Sequence, residues 1–133
     1  MDDSIIDFPI ISDQRGSLIA LEQFKDIPFE IKRVYYIFGT KHNQARGFHA
    51  HFNLEQVLIC VKGSCKVIID NGKQNKGYYL NKPNQGLFIG RYTWREMSDF
   101  SDDCVLLVLA SNYYDESDYI RKYEDFLLEV NKV

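Results

Sequence analysis

Arg46-Gly47-Phe48-His49-Ala50-His51 carries two of the three histidines in this 133-residue chain, at positions i and i+2, with Glu55 close behind. In a strand, that spacing points both imidazoles to one face. The residues among and after them (Gly47, Phe48, Ala50, Phe52) are small or apolar, as befits a strand lining an enclosed cavity. Arg46 adds a permanent positive charge at the edge of the same stretch. Two co-facing groups that titrate near neutral pH, beside a guanidinium, suit proton transfer on an anionic substrate. Imidazoles and carboxylates also bind metals, so on these residues alone both uses stay open.

A third proton carrier would come from a tyrosine. Glu30 to Phe38 reads as a strong β-branched and aromatic strand, and alternation sends Tyr35 and Tyr36 to opposite faces. Arg33 shares the face of Tyr35, which favours Tyr35 as the polar, site-facing member and Tyr36 as the packing one. Arg15, Arg46, Arg91 and Arg95 each adjoin glycine or aromatic residues, and guanidinium groups suit bidentate contacts with phosphate oxygens. The chain has no Gly-x-Ser-x-Gly and no Gly-rich loop opening a helix.

The elements that must hold these groups are mostly strands. Ile5 to Ile11 is apolar but contains Pro9, so it reads as an edge strand or an arm. Strands are expected over Ser17–Phe24, Glu30–Phe38, Glu55–Val61, Ser64–Ile69, Gly77–Leu80, Leu87–Ile89 and Cys104–Ala110. Asp70-Asn71-Gly72-Lys73 supplies a hairpin turn. Eight or nine short strands separated by turns make an all-β sandwich or barrel. Only the C-terminus changes period. Asp115 and Ser117 offer N-caps, and Ile120, Tyr123, Leu127 and Val130 form one apolar stripe, predicting a helix over residues 115–131 packed outside the barrel.

The length suits one domain, residues 1–133, with a single core. Net charge is −3, so no global basic field recruits nucleic acid. The three cysteines, Cys60, Cys65 and Cys104, are an odd number without a CxxC pair and read as buried free thiols of a reducing compartment. The acidic N-terminus lacks a signal-peptide pattern, and no apolar run is long enough to cross a bilayer. A cytoplasmic location is expected.

An ordered series of segments carries a resemblance over nearly the whole chain. It runs through Arg15-Gly16-Ser17-Leu18, Ile31-Lys32-Arg33-Val34-Tyr35-Tyr36-Ile37, Arg46 to His51, Leu58 to Cys65, Cys104 to Ser111 and Tyr114 to Arg121. In these segments the chain resembles the sugar 3,4-ketoisomerases that act on dTDP-4-keto-6-deoxyglucose. That family implies a metal-independent cupin, a double-stranded β-helix (jelly-roll) barrel with a C-terminal helix. It also implies a homodimer that swaps N-terminal arms, here residues 1–12. Carried over by position, His49 looks like the catalytic base, His51 its partner and Tyr35 the active-site tyrosine. Arg46 is similar to the arginine that contacts the nucleotide-sugar, and Arg15, Arg33 and Arg95 are further substrate-binding candidates. The reaction implied needs no cofactor.

His49-x-His51-x-x-x-Glu55 is also the spacing of the first motif of metal-binding cupins. A later strand normally adds another histidine, but this chain offers Arg91-Tyr92-Thr93-Trp94-Arg95 there, which weakens the metal reading. A nucleotide-sugar epimerase and a non-catalytic sugar-binding cupin are the remaining alternatives.

Overall fold

β-Branched and aromatic runs, punctuated by Gly, Pro, Asn and Asp, fold into short strands with tight connections. The computed structural model describes residues 4–132. Its strands are β1 (Ile5–Asp7), β2 (Ile11–Asp13), β3 (Gly16–Leu18), β4 (Arg33–Ile37), β5 (Arg46–His51) and β6 (Gln56–Lys62). They continue as β7 (Cys65–Asp70), β8 (Asn75–Leu80), β9 (Gln85–Ile89), β10 (Trp94–Ser98), β11 (Val105–Ala110) and β12 (Tyr119–Ile120), before helix α1 (Tyr123–Val130). One five-stranded sheet has the order β1-β9-β6-β11-β4, the other β12-β5-β10-β7-β8, and β2-β3 is a separate hairpin.

The two sheets bury their facing sides against each other. Leu58, Leu87, Leu106 and Val108 of the first sheet meet Val67, Leu80 and Met97 of the second, with Phe100 between them. This is the cupin jelly roll that the strand pattern and the resemblance predict. At the β7–β8 turn, Gly72 takes a φ of 93° and the Asn71 carboxamide accepts from the amides of Lys73 and Gln74. The hairpin chemistry seen in the sequence is therefore used.

Three elements differ from expectation. The strand expected over Ser17–Phe24 stops at Leu18. Beyond it, residues 19–31 run irregularly across the outer face of the first sheet, where Ile27 and Phe29 bury against Val57, Ile59 and Leu109. That alternation serves a covering layer rather than a ladder. The helix expected over 115–131 is shorter. Glu116–Asp118 is a single 3-10 turn capped by Asp115, Tyr119–Ile120 pairs with β5, and the α-helix occupies only Tyr123–Val130. Ile120 therefore belongs to the sheet, and Phe126, fully buried against Trp94 and Ala50, anchors the helix instead. The third difference is β10, which was not foreseen. Trp94-Arg95-Glu96-Met97-Ser98 carries two charges that mask its alternation, yet it lies between β5 and β7.

Of the arm at residues 1–12, residues 1–3 lie outside the described part. β1 pairs with β9 of the same chain, Ile5 opposite Leu87, and β2 leads into the exposed hairpin.

Candidate active site

β5 has β10 on one side and β12 on the other, and that pairing builds one wall of the site. His49 is registered opposite Arg95, and His51 opposite Tyr119. Residues paired across antiparallel strands share a face, so the four side chains form one row. The imidazole centroids are 4.9 Å apart, and the Tyr119 ring lies 4.9 Å from His49 and 4.3 Å from His51. The row depends on a bulge. Phe48 has no partner on β10 and is left with a φ of 60° and half exposed. Gly47 beside it has a φ of 94°, and a Cβ there would sit 2.9 Å from the Arg95 carbonyl oxygen. Only glycine allows that approach.

The first sheet supplies the opposite wall. Gln56 of β6 accepts from Arg95 Nη1 at 2.5 Å, and its amide donates to the Tyr35 hydroxyl at 3.1 Å. Tyr35 thus accepts from Gln56 and keeps its own proton to give elsewhere. The Arg33 guanidinium lies over the Tyr35 ring at 5.3 Å and the Tyr114 ring at 5.7 Å. Tyr35 therefore faces the site as alternation requires. Tyr36 does not pack: it is 61% exposed and stacks loosely on exposed Phe38, because β4 ends its sheet and the covering residues 19–31 pack on β6, β9 and β11 instead.

Arg95 sets the electrostatics. It is 1% exposed, with Nη2 donating to the Thr93 carbonyl at 2.9 Å and no carboxylate paired with it among the described residues. Burial lowers its pKa to about 10. Burial, then the Arg95 charge, lowers His49 to about 4 and His51 to about 2. Both imidazoles are accordingly neutral at pH 7. His49 Nδ1 lies 3.1 Å from the Gly47 carbonyl oxygen. A carbonyl only accepts, so Nδ1 carries the proton and Nε2 keeps a free lone pair. His51 Nδ1 lies 3.4 Å from Asp118 Oδ2, whose carboxylate is fixed by the amides of Asn53 and Leu54. Both ring nitrogens of His51, and Nε of Arg95 and Arg33, are buried without a hydrogen-bond partner among the described residues. Buried polar atoms of this kind ordinarily have a partner, so water or a ligand is the natural complement here. A cavity of about 40 Å³ lies beside His51, lined by Arg33, Asp118 and Tyr119 among others.

The remaining candidates are elsewhere. Arg46, at the exposed start of β5, lines a separate groove with Phe38, Thr40, Gln44 and Phe100. Arg15 sits on the tip of the β2–β3 hairpin, 86% exposed and paired with Asp13 at 2.5 Å. Arg91 is exposed. Glu55 does not gather with the imidazoles: among the described residues, the three potential metal ligands that converge are Cys60, Cys65 and Cys104. Sequence reasoning missed Gln56, Asp118 and Tyr119. Gln56 opens an apolar run, where an uncharged polar residue is itself a signal. Asp118 and Tyr119 were hidden in a segment read as helix.

The WxcM-like, C-terminal family model (FdtA) matches residues 1–131. The chain belongs to this family. Relatives of this WxcM-like chain bear it out. It is 55% identical over 133 residues to the TDP-4-oxo-6-deoxy-alpha-D-glucose-3,4-oxoisomerase of Aneurinibacillus thermoaerophilus, covering 100% of this chain and 96% of that protein. A 3,4-ketoisomerase from Helicobacter canadensis superposes with a TM-score of 0.93 at 56% identity, over 96% of both chains. A histidine-to-asparagine variant of the 3,4-ketoisomerase QdtA from Thermoanaerobacterium thermosaccharolyticum, crystallised with TDP-4-keto-6-deoxyglucose, superposes with a TM-score of 0.94. Its identity is 48%, over 99% of this chain and 97% of that one.

Proposed function

We propose that this WxcM-like protein is a nucleotide-sugar 3,4-ketoisomerase, converting dTDP-4-keto-6-deoxyglucose to a dTDP-3-keto-6-deoxyhexose. The product suits synthesis of a 3-amino-3,6-dideoxy sugar. The observation that carries the reading is a pair of neutral imidazoles, His51 buried and His49 partly so, beside a buried guanidinium with no carboxylate partner among the described residues.

The C4 ketone acidifies the C3 proton, and His49 Nε2 is the free lone pair that removes it. The negative charge that develops on the enediolate oxygens is stabilised by Arg95, preorganised in a dry site. Protonation at C4 and passage of the C3 hydroxyl proton to the C4 oxygen complete the shift. His51 and Tyr35 carry these protons, with the Asp118 carboxylate 3.4 Å from His51 Nδ1. Arg33 is placed to meet the nucleotide-sugar from the Tyr35 side. Arg15 and Arg46 serve it only where a second chain or a closing motion brings them to the cavity.

The exposed β2–β3 hairpin, with Ile10, Ile11 and Leu18 bare in the single chain, supports a homodimer of this single, cytoplasmic cupin domain; exchange of residues 1–12 would replace the β1–β9 pairing within the chain by the same pairing from the second subunit. Sedimentation of the purified protein at about twice the chain mass is the expected result.

Incubation with dTDP-4-keto-6-deoxyglucose in D2O, followed by NMR, tests the reaction. Exchange of the C3 proton with formation of the 3-keto sugar is expected. Deuterium entering at C5 would replace this reading with epimerisation.

A further inference from the structure

Every cysteine in the chain ends in one place. Cys60 comes from β6, Cys65 opens β7, and Cys104 immediately precedes β11, yet their sulfurs all lie within 4.8 Å of one another. They are 1%, 0% and 1% exposed. Cys60 Sγ and Cys104 Sγ are 3.6 Å apart. Sulfurs that share one ion at a bond length of about 2.3 Å sit about 3.8 Å apart, so a small contraction would close the trio on a single centre. Cys60 lies four positions along β6 from Gln56, placing the nest roughly 13 Å along the strand from the imidazole site.

The nest lies under two interlocked turns. Ser64 N donates to Ser101 Oγ and Ser101 N to the Ser64 carbonyl, both at 2.9 Å, while Ser101 Oγ donates to Asp103. A Cβ on Gly63 would overlap Ser101 and Asp103. A disulfide would use two of the three thiols and leave the convergence of the third unexplained.

We propose that Cys60, Cys65 and Cys104 form a three-thiolate site for a soft, three-coordinate ion, and that charge selects a trivalent one. Soft thiolates favour soft acceptors. Three thiolates around a monovalent or divalent ion would leave net negative charge in an apolar core, which is costly. Around a trivalent centre the complex is neutral. With arsenous acid the step balances without redox change. Three S–As bonds replace three As–O bonds, and the thiol protons leave with the hydroxides as three waters.

The test uses the reduced full-length chain and arsenous acid at one equivalent, independent of any sugar substrate. Native mass spectrometry is expected to show one arsenic gained and three hydrogens lost per chain, with all three thiols becoming unreactive. The loaded chain should melt at a higher temperature, because the folded nest is the binding form. Cys104→Ser and Cys65→Ser, each checked for native circular dichroism, should weaken binding by more than an order of magnitude. Should Cys65→Ser fail to fold, Cys104→Ala supplies the second comparison. No adduct with the folded chain, a lowered melting temperature, or undiminished binding by a folded single-thiol variant would overturn the site. Tighter binding of zinc than of arsenic would overturn the charge argument.

Discussion

Replacing His49 with Asn keeps the ring-to-Gly47 hydrogen bond in outline but removes the free Nε2 lone pair. Loss of a positioned general base costs about 10²–10⁴ in rate, so His49→Asn should lose that much kcat with KM nearly unchanged, read from the NMR assay. Arg95→Met separates two roles of the buried guanidinium. Loss of enediolate stabilisation should lower kcat about 10²–10³-fold. Because the Arg95 charge is among the causes that lower both histidines, the same variant should raise their pKa values, visible in the imidazole resonances during a pH titration. A variant whose histidines titrate as before would show that burial alone holds them neutral.

Among elements, the β5–β10 ladder carries most of the site, and its weakest tolerance is at Gly47. An Ala there must adopt a φ of 94° and place a Cβ 2.9 Å from the Arg95 carbonyl oxygen. Strained backbone of this kind costs about 1–3 kcal/mol. Gly47→Ala should therefore lower unfolding free energy by that amount in urea and lose activity together with it. Helix α1 is the second point. Phe126 is fully buried against Trp94, and Phe126→Ala should cost about 3–5 kcal/mol in the same measurement. The sequence showed β5, its co-facing histidines and Tyr35 because period-two alternation is a local signal. It concealed β10 because Arg95 and Glu96 look solvent-bound until the residues opposite them are known. The Asp115–Ile120 segment starts with good helix caps, but its pairing with β5 wins, and only that long-range contact brings Asp118 and Tyr119 to the imidazoles.

At the scale of the whole molecule, the site makes the fold sensitive to acid. Folded His49 and His51 titrate near 4 and 2, against about 6.5 in an unfolded chain. Below about pH 6.5 the unfolded chain therefore binds more protons, and stability falls as pH drops toward 4. Each histidine contributes up to roughly 1.4 kcal/mol per pH unit over that window. Urea unfolding at several pH values should show this slope, and His51→Gln should flatten it. The bulge at Phe48 has a consequence of another kind. It inserts one residue into β5 that β10 does not match, so the chain's length is counted on both sides of it. Deleting Phe48 would leave Gly47 opposite Glu96 and His49 opposite Arg95 in an unbroken ladder, whereas adding one residue between His49 and His51 would turn one imidazole out of the cavity. The chain can therefore change length at the bulge, but not between the two histidines, whose shared face depends on an even count.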